Sequence, residues 1–214
     1  MKKTIYDKYD KGLIPSLTRV VFPGRIFVIH NQHEAESAVD YLLKQAILGV
    51  DTETRPSFKR GDHHKVALLQ VSTHDTCFLF RLNHTGMSPA IIRLLEDTTV
   101  PKVGLSWHDD LHNLQRDTPF KPGLFIELQQ EVNRLGITDM SLQKLYANLF
   151  GQRISKAERM SNWEIDVLSD KQKQYAAIDA WACIRIYEEI VRLEETGDYE
   201  LVHQDFDTEK TAEP

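Results

Sequence analysis

The stretch Ala46-Ile47-Leu48-Gly49-Val50-Asp51-Thr52-Glu53 decides how the rest of the chain is interpreted. Its first five residues are apolar or glycine, a pattern that predicts a buried central strand. Successive side chains of a strand point to opposite faces, so Asp51 and Glu53 share one face. Two acids buried alone are costly, and a bound cation would offset that cost. The alternative is a strand that simply ends in solvent, where both acids are harmless.

A third acid lies on the buried side of the last long helix. Tyr175 and Asp179 are four residues apart and therefore share one helical face. The apolar stripe on that face continues through Ala182, Cys183, Ile186, Ile190 and Leu193. A carboxylate on a buried face needs a partner. That partner is either a functional ligand or a hydrogen-bond donor such as a backbone amide or a tyrosine.

A fourth acid follows the predicted strand 102–105, at the start of a helix that runs from Trp107 to about Arg116. Asp110 precedes the apolar Leu114 by four residues, so it lies nearer the buried side of this helix than Asp109 does. The alternative is that both acids only interact favourably with the dipole at the helix N-terminus.

The order of elements predicts an α/β domain with a mixed sheet. Strands are expected at residues 26–29, 46–53, 65–72, 76–82, 102–105 and 124–127. The sheet is expected to hold five strands, with 124–127 as the fifth, so the short strand 26–29 is not counted among them. Further helices are expected at 34–44, 89–96 and 141–150. The last long helix begins at a capping box, Ser169-x-x-Gln172, and ends at Gly197. Residues 1–24 form an irregular arm, 25–197 the domain, and 198–214 a polar, frayed tail.

Composition and charge describe a soluble, cytoplasmic protein of 214 residues, with 41% hydrophobic and 27% charged residues. The apolar runs are too short for a membrane span, and the charged residues after Thr4 exclude a signal peptide. Cys77 and Cys183 are expected to be buried, reduced thiols. A net charge of −6 argues against non-specific binding through basic patches. It is compatible with clustered carboxylates whose bound cations reverse the local charge.

Taken together, the acidic motifs resemble the DEDD superfamily of 3′→5′ exonucleases, in the subgroup whose third motif carries a tyrosine. The motifs are Asp51-Thr52-Glu53, then Val103-Gly104 with Asp110 and Leu114, then Tyr175-Ala176-Ala177-Ile178-Asp179-Ala180. The strand Lys65-Val66-Ala67-Leu68-Leu69-Gln70 is similar to the second strand of Werner-syndrome-type exonuclease domains. Ser161-Asn162-Trp163, after Lys156, is similar to a stretch of Werner-type and ribonuclease D-type members. The resemblance covers about residues 26–193.

The resemblance implies a ribonuclease H-like fold, a mixed five-stranded sheet flanked by helices, and removal of nucleoside monophosphates from 3′ ends. It further implies two Mg²⁺ or Mn²⁺ ions per site. Asp51, Glu53 and Asp179 would bind the first ion, and Asp51 would bridge to the second. Asp110 would act through water, and Tyr175 would orient the attacking water. The Werner-type strand favours DNA over RNA as substrate, and no obligate protein partner is indicated.

The segment between Glu53 and the next strand is expected to guide the nucleic-acid strand, because it is basic, contains an aromatic residue and adjoins the acids. The candidate contacts are Arg55, Phe58, Arg60 and Lys65, with Lys156 as a further phosphate ligand. An ordinary solvated hairpin loop is the alternative. Many relatives have an aromatic or apolar residue directly after the second acid of the first motif, where this chain has Thr54. Stacking of the terminal base is therefore weaker here or supplied by Phe58.

Two other functions are compatible with parts of the sequence. His108 and His112 have the i, i+4 spacing of a zinc-hydrolase helix, with Asp in place of the usual Glu and without a clear third-ligand motif. A catalytically inactive nucleic-acid-binding module of the same fold is the second, although all four acids and Tyr175 are present.

Overall fold

The computed structural model of the chain describes residues 2–58 and 64–204. Its main sheet lies between two layers of helices. The strands are β1 Lys3–Tyr6, β2 Thr18–Arg19, β3 Arg25–Ile29, β4 Leu48–Thr54, β5 Val66–Ser72, β6 Thr76–Arg81, β7 Lys102–Gly104, β8 Phe125–Glu127, β9 Gln152–Arg153 and β10 Tyr199–Val202. The helices are α1 Gln32–Leu42, α2 Leu82–Thr85, α3 Pro89–Glu96, α4 Trp107–Asp117, α5 Leu128–Arg134, α6 Leu142–Phe150 and α7 Asp170–Thr196, with a 3-10 helix at Lys11–Ser16.

The main sheet has the strand order β3-β6-β5-β4-β7-β8, so it holds six strands where the sequence predicts five. The additional strand is β3, which joins the edge by pairing in parallel with β6. It is held there because Ile26 and Val28 pack on one core and Ile29 on the other. The β4–β5 and β5–β6 pairs are antiparallel and the other pairs are parallel, which makes the sheet mixed as expected.

Two cores cover the faces of the sheet. On one face lies α7, together with α5 and α6, and Leu68 and Leu79 belong to this core. The other face carries α1 and α3, and Leu69 and Phe80 belong to that core. Neighbouring residues of one strand thus enter different cores, which is why a central strand such as β5 is buried along its whole length.

Helix α7 has the ends that the sequence predicts. The Ser169 side chain accepts from the Gln172 backbone while the Gln172 side chain accepts from the Ser169 backbone, and Gly197 caps the C-terminus in the left-handed region. The helix crosses β4 at Gly49, where a Cβ would overlap the carbonyl oxygen of Ala180. The missing side chain therefore lets α7 approach the strand two residues before Asp51.

The N-terminal arm and the start of the C-terminal tail are more ordered than predicted. Strand β1 pairs in parallel with β10, and Ile5 is fully buried. The expectation of a frayed tail is therefore corrected for Tyr199–Val202, while residues 205–214 lie outside the described part of the chain. Across the described residues, no helix is both long and apolar enough to cross a membrane.

Candidate active site

Three of the four predicted acids meet where β4 passes under α7. One carboxylate oxygen from each of Asp51, Glu53 and Asp179 lies within 4.8 Å of the other two. Asp51 and Glu53 are half-buried, and Asp179 is only 6% exposed. Strand alternation supplies the first two acids and the close approach of α7 supplies the third.

Asp110 lies beside this group of three. Its carboxylate accepts a hydrogen bond from the Thr52 hydroxyl, so the middle residue of the first motif holds the acid of the second. The charge of Asp110 raises the pKa of both Asp51 and Glu53, which places it within electrostatic reach of them. The role of Thr52 was missed from the sequence because strand alternation points its side chain away from its two acidic neighbours.

The helix that carries Asp110 is held at its start by Glu127. The Glu127 carboxylate accepts from the backbone N–H groups of Ser106 at 2.8 Å, Trp107 at 2.7 Å and Gln129 at 3.2 Å. Ser106 has a φ of 58°, in the left-handed region that non-glycine residues rarely adopt. Strained backbone of this kind persists where surrounding bonds over-determine it, and here those bonds set the direction of α4. No spacing in the sequence predicted this role for Glu127.

The cluster strongly disfavours negative charge. Burial, and then the charges of its acidic neighbours, hold the pKa of Asp51 well above its ordinary range. Burial raises the pKa of Glu53 to about 9, and the charges of Asp179 and Asp110 add to this effect. Burial also raises the pKa of Asp179 to about 7 and that of Asp110 to about 6. Carboxylates held in this way bind protons unless cations neutralise them.

The Tyr175 hydroxyl is placed to donate a hydrogen bond to the Asp179 carboxylate. Its ring is 8% exposed and lies 6.0 Å from the ring of Trp163, which is fully buried in the core as expected. Burial and the charges of Asp179 and Glu53 raise the pKa of the Tyr175 hydroxyl far above its ordinary value. The hydroxyl therefore keeps its proton, and its interaction with Asp179 lowers the pKa of that acid.

A cavity of about 270 Å³ opens beside these side chains. We call it the Tyr175 pocket; it is lined by Met140, Ser141, Leu142, Gln143, Ile154, Ser155, Lys156, Arg159, Tyr175 and Asp179. The positive charge of Lys156 lowers the pKa of Asp179, and that of Arg159 lowers the pKa of Glu53. Both basic side chains therefore favour the charged form of the acids. Burial, and then the positive charge of Arg159, lower the pKa of Lys156 itself. Arg159 was missed from the sequence, although it lies three residues after the predicted Lys156.

The basic loop after β4 is only partly described. Arg55 pairs with Glu164 at 3.1 Å, and His64 lies 3.2 Å from the same carboxylate. Phe58 is 83% exposed, and Arg60 lies outside the described residues. Lys65 lines a groove of about 650 Å³ that we call the Lys65 groove; its other lining residues are His64, Val66, Ala67, Leu82, Asn83, Gly86, Met87, Asn113, Leu114, Thr118 and Glu164. Because Val66 pairs with Thr54, this groove begins beside the end of the acid-bearing strand.

The zinc-hydrolase alternative has no support in the structure. His108 and His112 are both exposed on α4. Within residues 2–58 and 64–204, the one group of His, Cys, Asp or Glu side chains close enough to hold a metal is Asp51, Glu53 and Asp179.

Comparisons with known proteins identify similar sequences. The family model described as 3′-5′ exonuclease matches residues 26–194. Over 186 residues the chain is 32% identical to the bifunctional 3′-5′ exonuclease/ATP-dependent helicase WRN of Mus musculus, covering 82% of this chain and 13% of that protein. It is 30% identical to a 3′-5′ exonuclease of Arabidopsis thaliana, covering 78% of this chain and 63% of that one. The chain thus spans less than two thirds of either relative.

Solved structures share the fold. The EXO domain of Aedes aegypti Nibbler superposes with a TM-score of 0.73 at 18% identity, covering 82% of this chain and 91% of that one. Escherichia coli RNase D superposes with a TM-score of 0.71 at 19% identity, covering 79% of this chain and 45% of that one. The family match covers well over half of the sequence and includes every acid of the site. The chain therefore belongs to the 3′-5′ exonuclease family.

Proposed function

We propose that this exonuclease releases nucleoside monophosphates from 3′ ends with two divalent cations, Mg²⁺ or Mn²⁺, and that it prefers DNA. The observation that carries the metal dependence is the meeting of three carboxylates within 4.8 Å of one another. When bound, a pair of such cations supplies electrostatic stabilisation of the attacking and leaving oxygens of a phosphodiester.

The side chains at the site fit hard cations. All three clustered ligands are carboxylates, the oxygen donors that Mg²⁺ and Mn²⁺ favour, and Cys183 nearby is a buried thiol whose pKa is raised by burial. The raised pKa values of the acids have the same physical cause, since charged oxygens gathered under α7 have too little solvation. Positive charge at this point would offset the cost.

Each side chain has a separate role in the proposal. Asp51, Glu53 and Asp179 would hold the cations, and Asp51 would be the acid common to both. Asp110, held by Thr52, orients water at the edge of the cluster. Tyr175 keeps its proton and donates a hydrogen bond that positions the attacking water, so it serves as an orienting group and not as a base.

The phosphates of the nucleic-acid strand are proposed to contact lysine and arginine side chains on both sides of the acids. Lys156 and Arg159 line the Tyr175 pocket and reach the carboxylates electrostatically. Lys65 lines the groove at the start of β5, where it adjoins the end of β4. Arg55, which is paired with Glu164, and the exposed Phe58 lie on the same loop and are proposed to contact a phosphate and a base respectively. Arg60 remains part of the proposal from sequence alone.

The preference for DNA rests on the similarity of Lys65–Gln70 to Werner-type domains, and the fold does not favour either nucleic acid. Escherichia coli RNase D, which shares this fold, is an exoribonuclease involved in structured RNA processing. At 19% identity that likeness concerns the fold alone.

The test is digestion of matched DNA and RNA oligonucleotides carrying a 5′ label, single-stranded and with recessed 3′ ends, and with Mg²⁺, Mn²⁺, Ca²⁺ or chelator. We expect a ladder of products shortened from the 3′ end with Mg²⁺ or Mn²⁺, faster on DNA. Calcium should bind without turnover because its coordination is loose. Cleavage in chelator would contradict the metal dependence, and faster digestion of RNA would contradict the proposed preference. Binding without cleavage would indicate an inactive module.

A further inference from the structure

A buried amide beside the acids has no part in the mechanism described above. Gln70, in the middle of β5, is 0% exposed. Among the residues that the structure describes, neither its Oε1 nor its Nε2 atom has a hydrogen-bond partner. Residues 66–69 and 71 of the same strand are all apolar. Gln70 thus interrupts the aliphatic run of the strand, and the other buried polar residue of β5, Ser72 at its end, has a partner because its hydroxyl donates to the Thr73 carbonyl.

The register of the sheet places this amide next to Asp51. Gln70 is the direct partner of Asp51 on β4 and of Leu79 on β6. Side chains of directly paired residues lie on the same face, with Cβ atoms about 4.5–5.5 Å apart. Of these two neighbours, only Asp51 can form a side-chain hydrogen bond. Helix α7 covers the same face, as the contact between Gly49 and Ala180 shows.

An amide in such a place destabilises the metal-free protein. A buried donor or acceptor without a partner bears the full desolvation penalty, whereas an apolar side chain of the same shape bears none. Departures from the apolar pattern of a core are expected mainly at functional sites. A glutamine is also neutral, so it can donate a hydrogen bond to a carboxylate without competing with a metal cation. A positively charged lysine in its place would compete.

We propose that Gln70 is a positioning residue for Asp51. In the cation-bound state its Nε2 donates to the Asp51 carboxylate, directly or through one water molecule, and holds that carboxylate in the orientation that binds divalent cations. Carboxylates that bind metals are themselves commonly oriented by hydrogen bonds from surrounding residues. This inference rests on the proposed metal-dependent function.

The experiment measures Mn²⁺ affinity by electron paramagnetic resonance and metal-free melting temperature on the same preparations. Gln70→Met and Gln70→Leu remove the amide while keeping an apolar side chain of similar size. We expect Mn²⁺ to bind about tenfold more weakly to both variants. In chelator, both should melt above wild type because the unpartnered amide is gone. The single-turnover cleavage rate should fall with the metal occupancy.

Leu68→Met is the matched control. Leu68 is fully buried on the same strand and face, two residues away and opposite Glu53, but it carries no polar atom. Its Mn²⁺ affinity should stay within twofold of wild type. The inference is overturned if wild type binds Mn²⁺ and either folded Gln70 variant binds it within twofold as tightly, or if Leu68→Met weakens binding as much as they do. Failure of wild type to bind Mn²⁺ would instead overturn the proposed function.

Discussion

The backbone N–H of Trp107 donates a hydrogen bond of 2.7 Å to Oε2 of Glu127, joining the first turn of α4 to the end of β8. The other oxygen of the same carboxylate accepts from Ser106 at 2.8 Å and from Gln129 at 3.2 Å. One acid therefore satisfies three backbone donors and fixes the start of the helix that carries Asp110. A negative charge at a helix N-terminus is also stabilised by the helix dipole.

Glu127→Gln should lower stability and cleavage together. The amide keeps one accepting oxygen, so at least one backbone donor loses its partner, at a cost of about 1–3 kcal/mol. The helix start relaxes, and a small displacement of Asp110 should slow single-turnover cleavage by about tenfold or more. Mn²⁺ binding to Asp51, Glu53 and Asp179 should change little. Glu131→Gln, in a surface pair with Arg134, is the control and should leave both quantities near wild type. Wild-type cleavage by a destabilised Glu127→Gln would show that the start of α4 does not position the site.

Asp51→Asn should abolish cleavage and raise the melting temperature of the metal-free protein. In the metal-free fold Asp51 must either stay charged beside its acidic neighbours or bind a proton, and the neutral amide of asparagine removes that cost. Cleavage is lost because Asp51 is the acid proposed to be shared between the cations. Activity and melting are compared with those of Asp109→Asn, which alters an exposed acid on α4. Activity above about a tenth of wild type would contradict the shared role.

The stability of the metal-free protein should fall as pH rises. Unfolded carboxyl groups titrate near pH 4, whereas burial raises the pKa of Asp110 to about 6, of Asp179 to about 7 and of Glu53 to about 9. The folded state thus binds more protons between these values, and stability present at low pH is lost as pH rises through the folded pKa values. Melting temperatures in chelator should decline from pH 5 to pH 9, more steeply for wild type than for Asp51→Asn. Parallel curves for the two proteins would show that the cluster does not cause the decline.

Tyr175→Phe should lower the single-turnover cleavage rate and leave the affinity for oligonucleotides nearly unchanged. The ring keeps its packing against Trp163, and only the hydroxyl beside Asp179 is lost. Loss of a hydrogen bond that positions a reacting group should slow single-turnover cleavage by about 100-fold, with oligonucleotide affinity nearly unchanged. Tyr146→Phe, which removes another buried hydroxyl of the same core, is the control. A Tyr175→Phe protein with lowered melting temperature and wild-type cleavage would make the hydroxyl a structural group.

The double variant Lys156→Ala, Arg159→Ala should bind oligonucleotides with a weaker salt dependence. Both basic side chains line the Tyr175 pocket. Each phosphate that a basic side chain neutralises contributes about 0.7–0.9 to the slope of log affinity against log salt concentration. The slope should therefore fall in magnitude by about 1.4–1.8 units. Lys173→Ala, which breaks an exposed pair with Asp170, should leave it unchanged. An unchanged slope in the double variant would place the strand elsewhere on the surface.

The sequence by itself determined the central strand, the ends of the last long helix and the three acids that cluster. The apolar run before Asp51 identified the central strand, and the capping box at Ser169 with Gly197 set the ends of α7. Spacing of two in a strand put Asp51 and Glu53 on one face, and spacing of four in a helix joined Tyr175 to Asp179. These inferences succeeded because both periodicities are properties of the local backbone.

Only the tertiary structure decided which distant groups meet and how each is held. The sixth strand depends on the pairing of β3 with the distant β6, and the bond from Thr52 to Asp110 depends on the approach of α4 to β4. Arg159 and Glu127 reach the site from segments whose own patterns indicate nothing unusual. The raised pKa values follow from burial and the proximity of like charges, which arise when the layers pack. Local spacing specifies the face on which a side chain lies, while contacts across the core depend on the packing of the whole chain.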